Sequence, residues 1–216
     1  MAVIAELKRR SPSKGVINAS LPAGRRGAEY ASGGAAALSV LTEPERFGGS
    51  IGDLVEVRAQ VGIPLLRKDF IVHEAQIAEA HQAGADAVLL IARALNAARA
   101  MELAAYAFSL GLDVLYEVRD EAELERALAV PDCVIGVNTR NLETLAIDPD
   151  VGVRLLPQIP PDRVAVYESG VSSPADVERA AFAGADAVLV GSVLSPQPDG
   201  AAAVAALASV ARQPRG

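Results

Sequence analysis

A regular alternation of short apolar segments with helical patterns is the feature that most constrains the fold of this chain. The apolar segments lie at 2–8, 35–41, 64–70, 86–91, 113–118, 133–138, 164–168 and 186–190. Helical patterns follow them at 23–33, 51–60, 74–83, 96–110, 121–129, 149–156, 175–183 and 201–211. Strands that alternate with helices form parallel sheets. Eight such units without a break in composition predict an α/β fold, one (β/α)8 barrel domain (a TIM barrel) over residues 1–216.

Two of these units begin almost identically. The segment 83–90 reads AGADAVLL, and the segment 183–190, four strands later, reads AGADAVLV. An internal repeat at this spacing supports the count of eight units. Two unrelated segments could also converge on these residues, because a helix end, the glycine after it and a buried strand each favour residues of these types. The repeat therefore bears on the fold and not on function.

The composition narrows the function classes. Hydrophobic residues make up 51% of the chain and aromatic residues only 4%, so we expect a core of Ala, Val, Leu and Ile. The 20 basic and 27 acidic residues give a net charge of −7, which disfavours nucleic acid or an anionic membrane as a partner. A local cationic pocket for an anionic metabolite remains compatible with this charge. No apolar run approaches the length of a membrane span and no signal-peptide pattern opens the sequence, so we expect a cytoplasmic protein.

The cysteine and histidine content argues against metal and disulfide chemistry. Cys133 is the only cysteine, which excludes an intrachain disulfide and a cysteine-based zinc site. It lies in an apolar run and is predicted to be a small core residue. His73 and His81 fall on one predicted helix without a third ligand nearby, so we expect solvated side chains and no metal site.

Ionisable residues gather at the carboxyl ends of the predicted strands, where barrels of this kind carry their active sites. Lys68 ends the third strand; it either pairs with Asp69 at the surface or stays desolvated beside carboxylates, where its pKa can shift. Taken alone, the surface pair is the simpler interpretation. The other strand ends carry, in chain order, Glu6 and Lys8, Glu117, Asn138 with Arg140, Glu168 with Ser169, and Gly191 with Ser192.

Two lysines and up to three carboxylates at one mouth would push one another's pKa values apart, as acid and base chemistry requires. The alternative is a network of ion pairs that plugs the barrel. Ser169-Gly170 and Gly191-Ser192 follow the seventh and eighth strands, where such barrels often hold phosphate with backbone N–H groups. Ser11 and Ser13 in the first loop would add hydroxyl donors. We therefore favour a functional site over a structural plug.

Several of these segments together resemble the indole-3-glycerol phosphate synthase family. They are IAELKRRSPSKG at 4–15, LSVLTE at 38–43 with FGGS at 47–50, LRKDF at 66–70, YEV at 116–118, GVNTRNL at 136–142 and ESGV at 168–171. They cover nearly the whole chain in order. The resemblance implies that 1-(2-carboxyphenylamino)-1-deoxyribulose 5-phosphate, a phosphorylated small molecule, closes to an indole with loss of carbon dioxide and water in tryptophan synthesis. It implies no cofactor and no metal.

The resemblance also implies roles for the catalytic residues. Lys68 would be the general acid that protonates the ketone oxygen under attack. Lys8 would lie near the substrate carboxylate and could also serve as an acid in the later dehydration. Glu117 would be a base, or the group that keeps a lysine charged. Three further residues would orient the lysines, the substrate hydroxyls and the intermediate: Glu6, Glu168 and Asn138.

The remaining residues implied by the resemblance bind the two ends of the substrate. Ser11, Gly170, Gly191 and Ser192 match the phosphate cradle of the family. Phe70 would form an apolar wall for the aromatic ring, and Arg140 and Ser169 are further predicted substrate-binding residues.

Some positions depart from the family pattern. Arg119 stands where a histidine is frequent, and Tyr116 and Tyr167 stand where small or aliphatic residues are usual. Strand alternation directs these side chains away from the barrel interior, so they bear on packing more than on chemistry. Family members also carry a helical extension before the first strand, and here only Met1 precedes that strand.

The missing extension leaves a second interpretation open: a non-catalytic or weakly active barrel that binds phosphorylated ligands and needs a partner or a further segment to close its mouth. Phosphoribosylanthranilate isomerase is a third possibility, because it shares the barrel and the phosphate site. It relies on a cysteine at the end of the first strand, where this chain has Lys8. We expect a monomer, or an association with other enzymes of tryptophan synthesis.

Overall fold

A computed structural model describes residues 1–215, and within them eight parallel strands form a closed barrel. The strands are β1 (Ala2–Leu7), β2 (Ala37–Leu41), β3 (Leu65–Lys68), β4 (Ala87–Ile91), β5 (Asp113–Val118), β6 (Val134–Asn138), β7 (Ala165–Glu168) and β8 (Ala187–Val190). Each strand pairs with the next, and β8 pairs with β1 in the register Ala2 to Ala187. The predicted barrel fold is confirmed. The predicted domain runs to Gly216, which lies outside the described residues.

One helix of the outer layer follows each strand. These helices are α1 (Ala23–Ser32), α2 (Ile51–Arg58), α3 (Glu74–Gln82), α4 (Ala97–Ser109), α5 (Glu121–Leu128), α6 (Asp150–Leu155), α7 (Pro174–Phe182) and α8 (Gly200–Ala208). Side-chain oxygens of Ser50, Asn96, Asp120, Ser173 and Asp199 cap five of the described helices. His73, which we predicted on the third helix, is instead the residue before it: its Nδ1 accepts the backbone N–H of Ala75 at 3.1 Å.

Short elements near the carboxyl ends of the strands were not predicted. Arg10–Ser11 and Gly15–Val16 pair as a small antiparallel ribbon directly after β1. Pro44–Phe47 forms a single helical turn after β2. The Glu43 carboxylate holds this turn by accepting the backbone N–H groups of residues 45, 46 and 47, and Gly48 ends it with φ 66°. Both elements border the mouth of the barrel.

The core has two layers, because strand residues alternate between the inside of the barrel and its helix-covered outside. The inner layer is formed by Leu66, Leu89, Ile91, Leu115, Val166, Ala187 and Leu189. The outer layer contains Cys133, Tyr116 and Tyr167, all buried. The predicted core position of Cys133 and the outward direction of the two tyrosines are therefore confirmed.

The repeated AGAD segments lie at the amino ends of β4 and β8. Asp86 accepts the backbone N–H of Leu65 at 2.7 Å, and Asp186 accepts that of Ala165 at 2.9 Å. Each aspartate also pairs with arginine: Asp86 with Arg58 at 2.9 Å, and Asp186 with Arg212 and Arg215. The repeat thus ties neighbouring strands together at the end of the barrel opposite the mouth.

None of the helices between residues 1 and 215 combines the length and the apolar character of a membrane span.

Candidate active site

A cavity of about 420 Å³ opens at the carboxyl ends of the strands. All the predicted site residues line it: Glu6, Lys8, Ser11, Lys68, Phe70, Glu117, Asn138, Arg140, Glu168, Ser169, Gly170, Gly191 and Ser192. They come from β1, β3, β5, β6, β7, β8 and the loops that follow these strands. The ion pairs of this group border the cavity and do not fill it, so the barrel is not plugged.

Lys68 lies between two carboxylates inside the barrel mouth. Its Nζ is 3.0 Å from Glu168 Oε2 and 3.3 Å from Glu117 Oε2, and all three side chains are almost fully buried. The alternative pair with Asp69 is wrong. Asp69 Oδ2 instead receives hydrogen bonds from Thr42 Oγ1 at 2.6 Å and from Arg67 at 3.1 Å. The adjacent residue is excluded because side chains of neighbouring strand residues point to opposite faces.

The charges of this cluster shift the pKa values of Lys68 and Glu168. Burial alone would lower the pKa of the Lys68 ammonium, but the negative charges of Glu168, Glu117 and Glu6 outweigh burial and raise it. Burial raises the pKa of Glu168, and the nearby Glu117 charge adds to the rise, against the opposing effect of Lys68. The cluster therefore combines a lysine that stays protonated with a carboxylate that binds a proton more readily than usual.

Glu6 and Lys8 form a second ion pair on the inner face of β1, as their spacing predicts. Two glycines give the buried carboxylates room. A Cβ at Gly191 would collide with Glu6 Oε1, and a Cβ at Gly136 would collide with Glu168 Oε1. Gly191 was predicted only as part of a phosphate cradle, and Gly136 was not predicted at all. Its position two residues before Asn138 on β6 was the signal, since that spacing puts it on the same inner face.

Asn138 is held in one orientation. Its Oδ1 accepts the hydroxyl of Ser169 at 2.9 Å and the backbone N–H of Arg140 at 3.0 Å. Its side-chain amide N–H groups make no hydrogen bond to the residues the structure describes, so they are donors for a ligand in the cavity. Ser169 has φ 70°, an unusual value for a residue with a Cβ, and Thr139 Oγ1 holds this backbone by bonding the carbonyls of residues 168 and 169.

Hydroxyl, backbone and cationic groups line the side of the cavity formed by β1, β6, β7 and β8. Ser11 is buried and its Oγ accepts the backbone N–H of Lys14 at 3.2 Å. Gly170 takes φ 77° two residues after the end of β7. Arg140 donates to the carbonyl of Leu145 at 2.7 Å, and burial lowers the pKa of its guanidinium. This collection of donors suits an anion.

An aromatic wall lies on the side formed by β2 and β3. The rings of Phe47 and Phe70 have their centroids 6.4 Å apart and are tilted by 38°. Arg46 stacks on the Phe70 ring with its Cζ 5.8 Å from the centroid. Phe47 and Arg46 were missed as site residues, because the turn that carries them was interpreted as an irregular loop.

Between residues 1 and 215, no three or more His, Cys, Asp or Glu side chains are arranged as a metal site.

Comparisons of the sequence with known proteins agree on one family. The family model described as indole-3-glycerol phosphate synthase matches residues 1–207. An indole-3-glycerol phosphate synthase of Nocardioides sp. is 52% identical over 209 residues, which cover 97% of this chain and 80% of the relative. A protein of the same name from Streptomyces griseus is 49% identical, covering 99% of this chain and 80% of the relative.

Solved structures are similar at the level of the fold. A 3-hexulose-6-phosphate synthase from Salmonella typhimurium superposes with a TM-score of 0.78 at 16% identity, covering 97% of this chain and 98% of that one. A thiamine phosphate pyrophosphorylase from Pyrococcus furiosus gives 0.72 at 14% identity, covering 97% and 94%. At such low identity these two show the barrel alone. The family model matches nearly the whole chain, and the relatives are about 50% identical to it. The chain therefore belongs to the indole-3-glycerol phosphate synthase family.

Proposed function

We propose that this chain closes 1-(2-carboxyphenylamino)-1-deoxyribulose 5-phosphate to indole-3-glycerol phosphate, with release of carbon dioxide and water. The observation that carries the proposal is the buried Lys68 ammonium between Glu117 and Glu168 in an open cavity. The reaction needs a proton donor beside a ketone and a carboxylate that can take a proton later. The cavity offers both within one hydrogen-bonded group.

The first step forms a carbon–carbon bond. The ring carbon that bears the carboxylate attacks the ketone carbon, and the ketone oxygen becomes a hydroxyl by taking a proton from Lys68. The two carboxylates beside Lys68 keep it protonated at neutral pH. Their attraction makes the ammonium a weaker acid, but the alkoxide that develops during attack is a stronger base than an amine. The proton transfer is therefore favourable.

The next steps restore the aromatic ring and form the indole. The carboxylate leaves as carbon dioxide, and its bonding electron pair returns to the ring. The new hydroxyl then leaves as water with a proton from Lys8, while Glu117 accepts the proton lost from the neighbouring carbon. Glu117 lies 3.3 Å from Lys68, so the proton it accepts can pass back to that lysine for the next turnover. Lys8, whose side chain is partly exposed, regains its proton from solvent, which supplies the one proton that the overall reaction consumes.

Binding groups hold the substrate while these protons move. The donors of Ser11, Gly170 and Ser192 suit the phosphate, and the Asn138 amide suits the hydroxyl of the intermediate. Glu6 and Glu168 orient Lys8 and Lys68, and Phe70 faces the aromatic ring. Arg140, Ser169 and Gly191 complete the substrate-binding part of the cavity. Fixing both ends of a flexible substrate brings the attacking carbon close to the ketone, which supplies much of the rate of such reactions.

We propose that the chain, as one barrel domain, acts as a monomer or in association with other tryptophan-pathway enzymes. All the proposed site residues belong to one cavity of one chain, which supports a site complete within the subunit. A cytoplasmic location fits a phosphorylated substrate, because a charged molecule does not cross a bilayer unaided. Light scattering during size-exclusion chromatography tests the monomer directly.

The experiment that tests the function follows the indole chromophore. Purified protein is mixed with the anilino-deoxyribulose phosphate, and indole fluorescence is recorded against time. We expect fluorescence to rise, with carbon dioxide released in equal amount. Tight binding of the substrate without any increase in fluorescence would overturn the proposal in favour of a binding barrel.

A further inference from the structure

We propose that Arg46 binds the ring carboxylate of the substrate and releases its hold when that carboxylate leaves as carbon dioxide. The inference rests on the proposed function and adds a substrate-binding residue to it. Arg46 lines the cavity from the helical turn Pro44–Phe47, on the side of the aromatic wall.

Arg46 is held in place before any ligand arrives. The turn that carries it is fixed by three hydrogen bonds to the Glu43 carboxylate, of which the bond from the Arg46 backbone N–H is the shortest at 2.7 Å. The guanidinium itself stacks on Phe70, with 5.8 Å between Cζ and the ring centroid. A positioned planar fork loses less conformational entropy on binding a carboxylate than a freely moving side chain does.

The charge of the Arg46 guanidinium is not paired with an acid of the described residues. Among residues 1–215, no carboxylate lies within ion-pairing distance of its guanidinium. Several other arginines of the described residues are paired with acids, as Arg9 is with Asp53 and Arg99 is with Glu74. An unpaired cation that lines a cavity in a chain of net charge −7 is a candidate partner for an anionic ligand.

Two other cations that line the cavity lack a carboxylate partner within the described residues, Lys14 and Arg140. Lys14 lies three residues after Ser11, and Arg140 lies two after Asn138, so both belong to the part of the cavity that suits phosphate and hydroxyl groups. Arg46 alone of the three is stacked on the aromatic wall. A substrate ring seated against Phe70 would bring its carboxylate toward the guanidinium that covers the same phenylalanine.

The contact between Arg46 and the substrate carboxylate exists only until the carboxylate is lost. The carboxylate is present in the substrate and absent from the indole product. Arg46 therefore stabilises substrate and ring-closed intermediate alike, and it makes no such contact with the product. Loss of Arg46 should raise KM much more than it lowers kcat, and it should leave product affinity unchanged.

The test uses two unreactive ligands whose ketone is reduced to an alcohol: 1-(2-carboxyphenylamino)-1-deoxyribitol 5-phosphate and its analogue without the carboxylate. Their dissociation constants are measured by calorimetry at one fixed salt concentration for the wild type, Arg46→Met and Arg46→Lys. The control is Arg10→Met, because Arg10 is also exposed but does not line the cavity.

We expect Arg46→Met to weaken the carboxylated ligand by about 5- to 30-fold, in the range of a partly exposed charged hydrogen bond. The ligand without a carboxylate should change by less than about twofold, and Arg46→Lys should lie between wild type and Arg46→Met. Arg10→Met should change neither ligand.

Equal weakening of both ligands by Arg46→Met would overturn the inference, since packing on Phe70 or attraction of the phosphate would then explain the effect. An unchanged affinity for the carboxylated ligand would overturn it too, while leaving the proposed function intact. A wild-type protein that binds neither ligand would overturn the function itself.

Discussion

Both ends of the barrel contain buried charges, and the two ends use them differently. At the amino end, Asp86 and Asp186 each accept a strand N–H and each pair with arginine. At the mouth, two carboxylates share the one ammonium of Lys68 and line the open cavity. The aspartates at the amino end join neighbouring strands, whereas the charges at the mouth crowd around one cation beside the cavity.

The difference shows how to distinguish structural from functional charge in one fold. Two buried carboxylates that share one ammonium cost stability, and a protein tolerates such crowding where the reaction needs it. Substitutions at the mouth should therefore reduce turnover with little loss of stability. Substitutions at the amino end should reduce stability and leave turnover nearly unchanged.

The largest effect is expected from Lys68→Met. Removal of the general acid should lower turnover by roughly 10²–10⁴-fold, because no other group occupies the place between Glu117 and Glu168. Affinity for inorganic phosphate should survive. The matched control is Arg58→Met, which removes a cation paired with Asp86 at the opposite end and should leave turnover within about twofold. Near-normal fluorescence rates in Lys68→Met would remove that lysine from the mechanism.

Glu117→Gln should follow, with turnover lower by about 10²-fold, since the amide keeps the shape and cannot accept a proton. The midpoint of urea unfolding should hold or rise, because one charge leaves a crowded buried cluster. Rate and unfolding are measured on the same preparation. A variant that keeps its rate but unfolds at lower urea would assign Glu117 to the structure instead.

The sequence predicted the fold well because every strand and helix of the barrel is long enough to show its own period. Element ends shifted by only one to three residues, for example at α8 (Gly200–Ala208), where the pattern extended to 211. The small ribbon after β1 and the turn Pro44–Phe47 were not predicted, because they are too short to show a repeating pattern of apolar residues. The turn depends on hydrogen bonds to the Glu43 side chain.

The sequence predicted where the site lies, but it did not predict which side chains form ion pairs there. Polar residues at strand ends identified the mouth, but the partners of Lys68 lie 49 and 100 residues away in the chain. Strand alternation argues against the adjacent Asp69, but nothing local in the sequence identifies the two glutamates as the partners. Gly136 was missed for the same reason, since it makes room for a carboxylate that belongs to the next strand. Contacts across a barrel follow from its closure, which a local pattern does not contain.

At the amino end, Asp186→Asn should lower the free energy of unfolding by about 1–3 kcal/mol, because Arg212 and the buried Arg215 lose their partner. Asp86→Asn should cost less. The Asp86 side chain is 49% exposed, whereas that of Asp186 is only 10% exposed. Urea unfolding measures both, and turnover at 25 °C should be unchanged in both. Equal costs would mean that burial does not set the strength of these pairs.

The buried Glu168 makes the stability of the mouth depend on pH. Burial raises the pKa of Glu168 from 4.5 to about 7, so the folded protein binds this proton more tightly than the unfolded chain. The wild type therefore loses stability as pH rises through that window, and Glu168→Gln does not. The stability of the variant relative to wild type should increase by about 1–3 kcal/mol from pH 5 to pH 8. A constant difference across this range would show that the pKa of Glu168 is not raised.

The central claim is that the mouth serves chemistry and the amino end serves stability, and the double variant Glu117→Gln/Asp186→Asn tests it most directly. Turnover and the free energy of unfolding are measured for wild type, both single variants and the double variant. Distant, independent sites should add. We predict that the double variant has the turnover of Glu117→Gln and a loss of stability no larger than that of Asp186→Asn. A double variant in which Asp186→Asn lowers turnover further, or in which Glu117→Gln deepens the loss of stability, would contradict the division between the two ends.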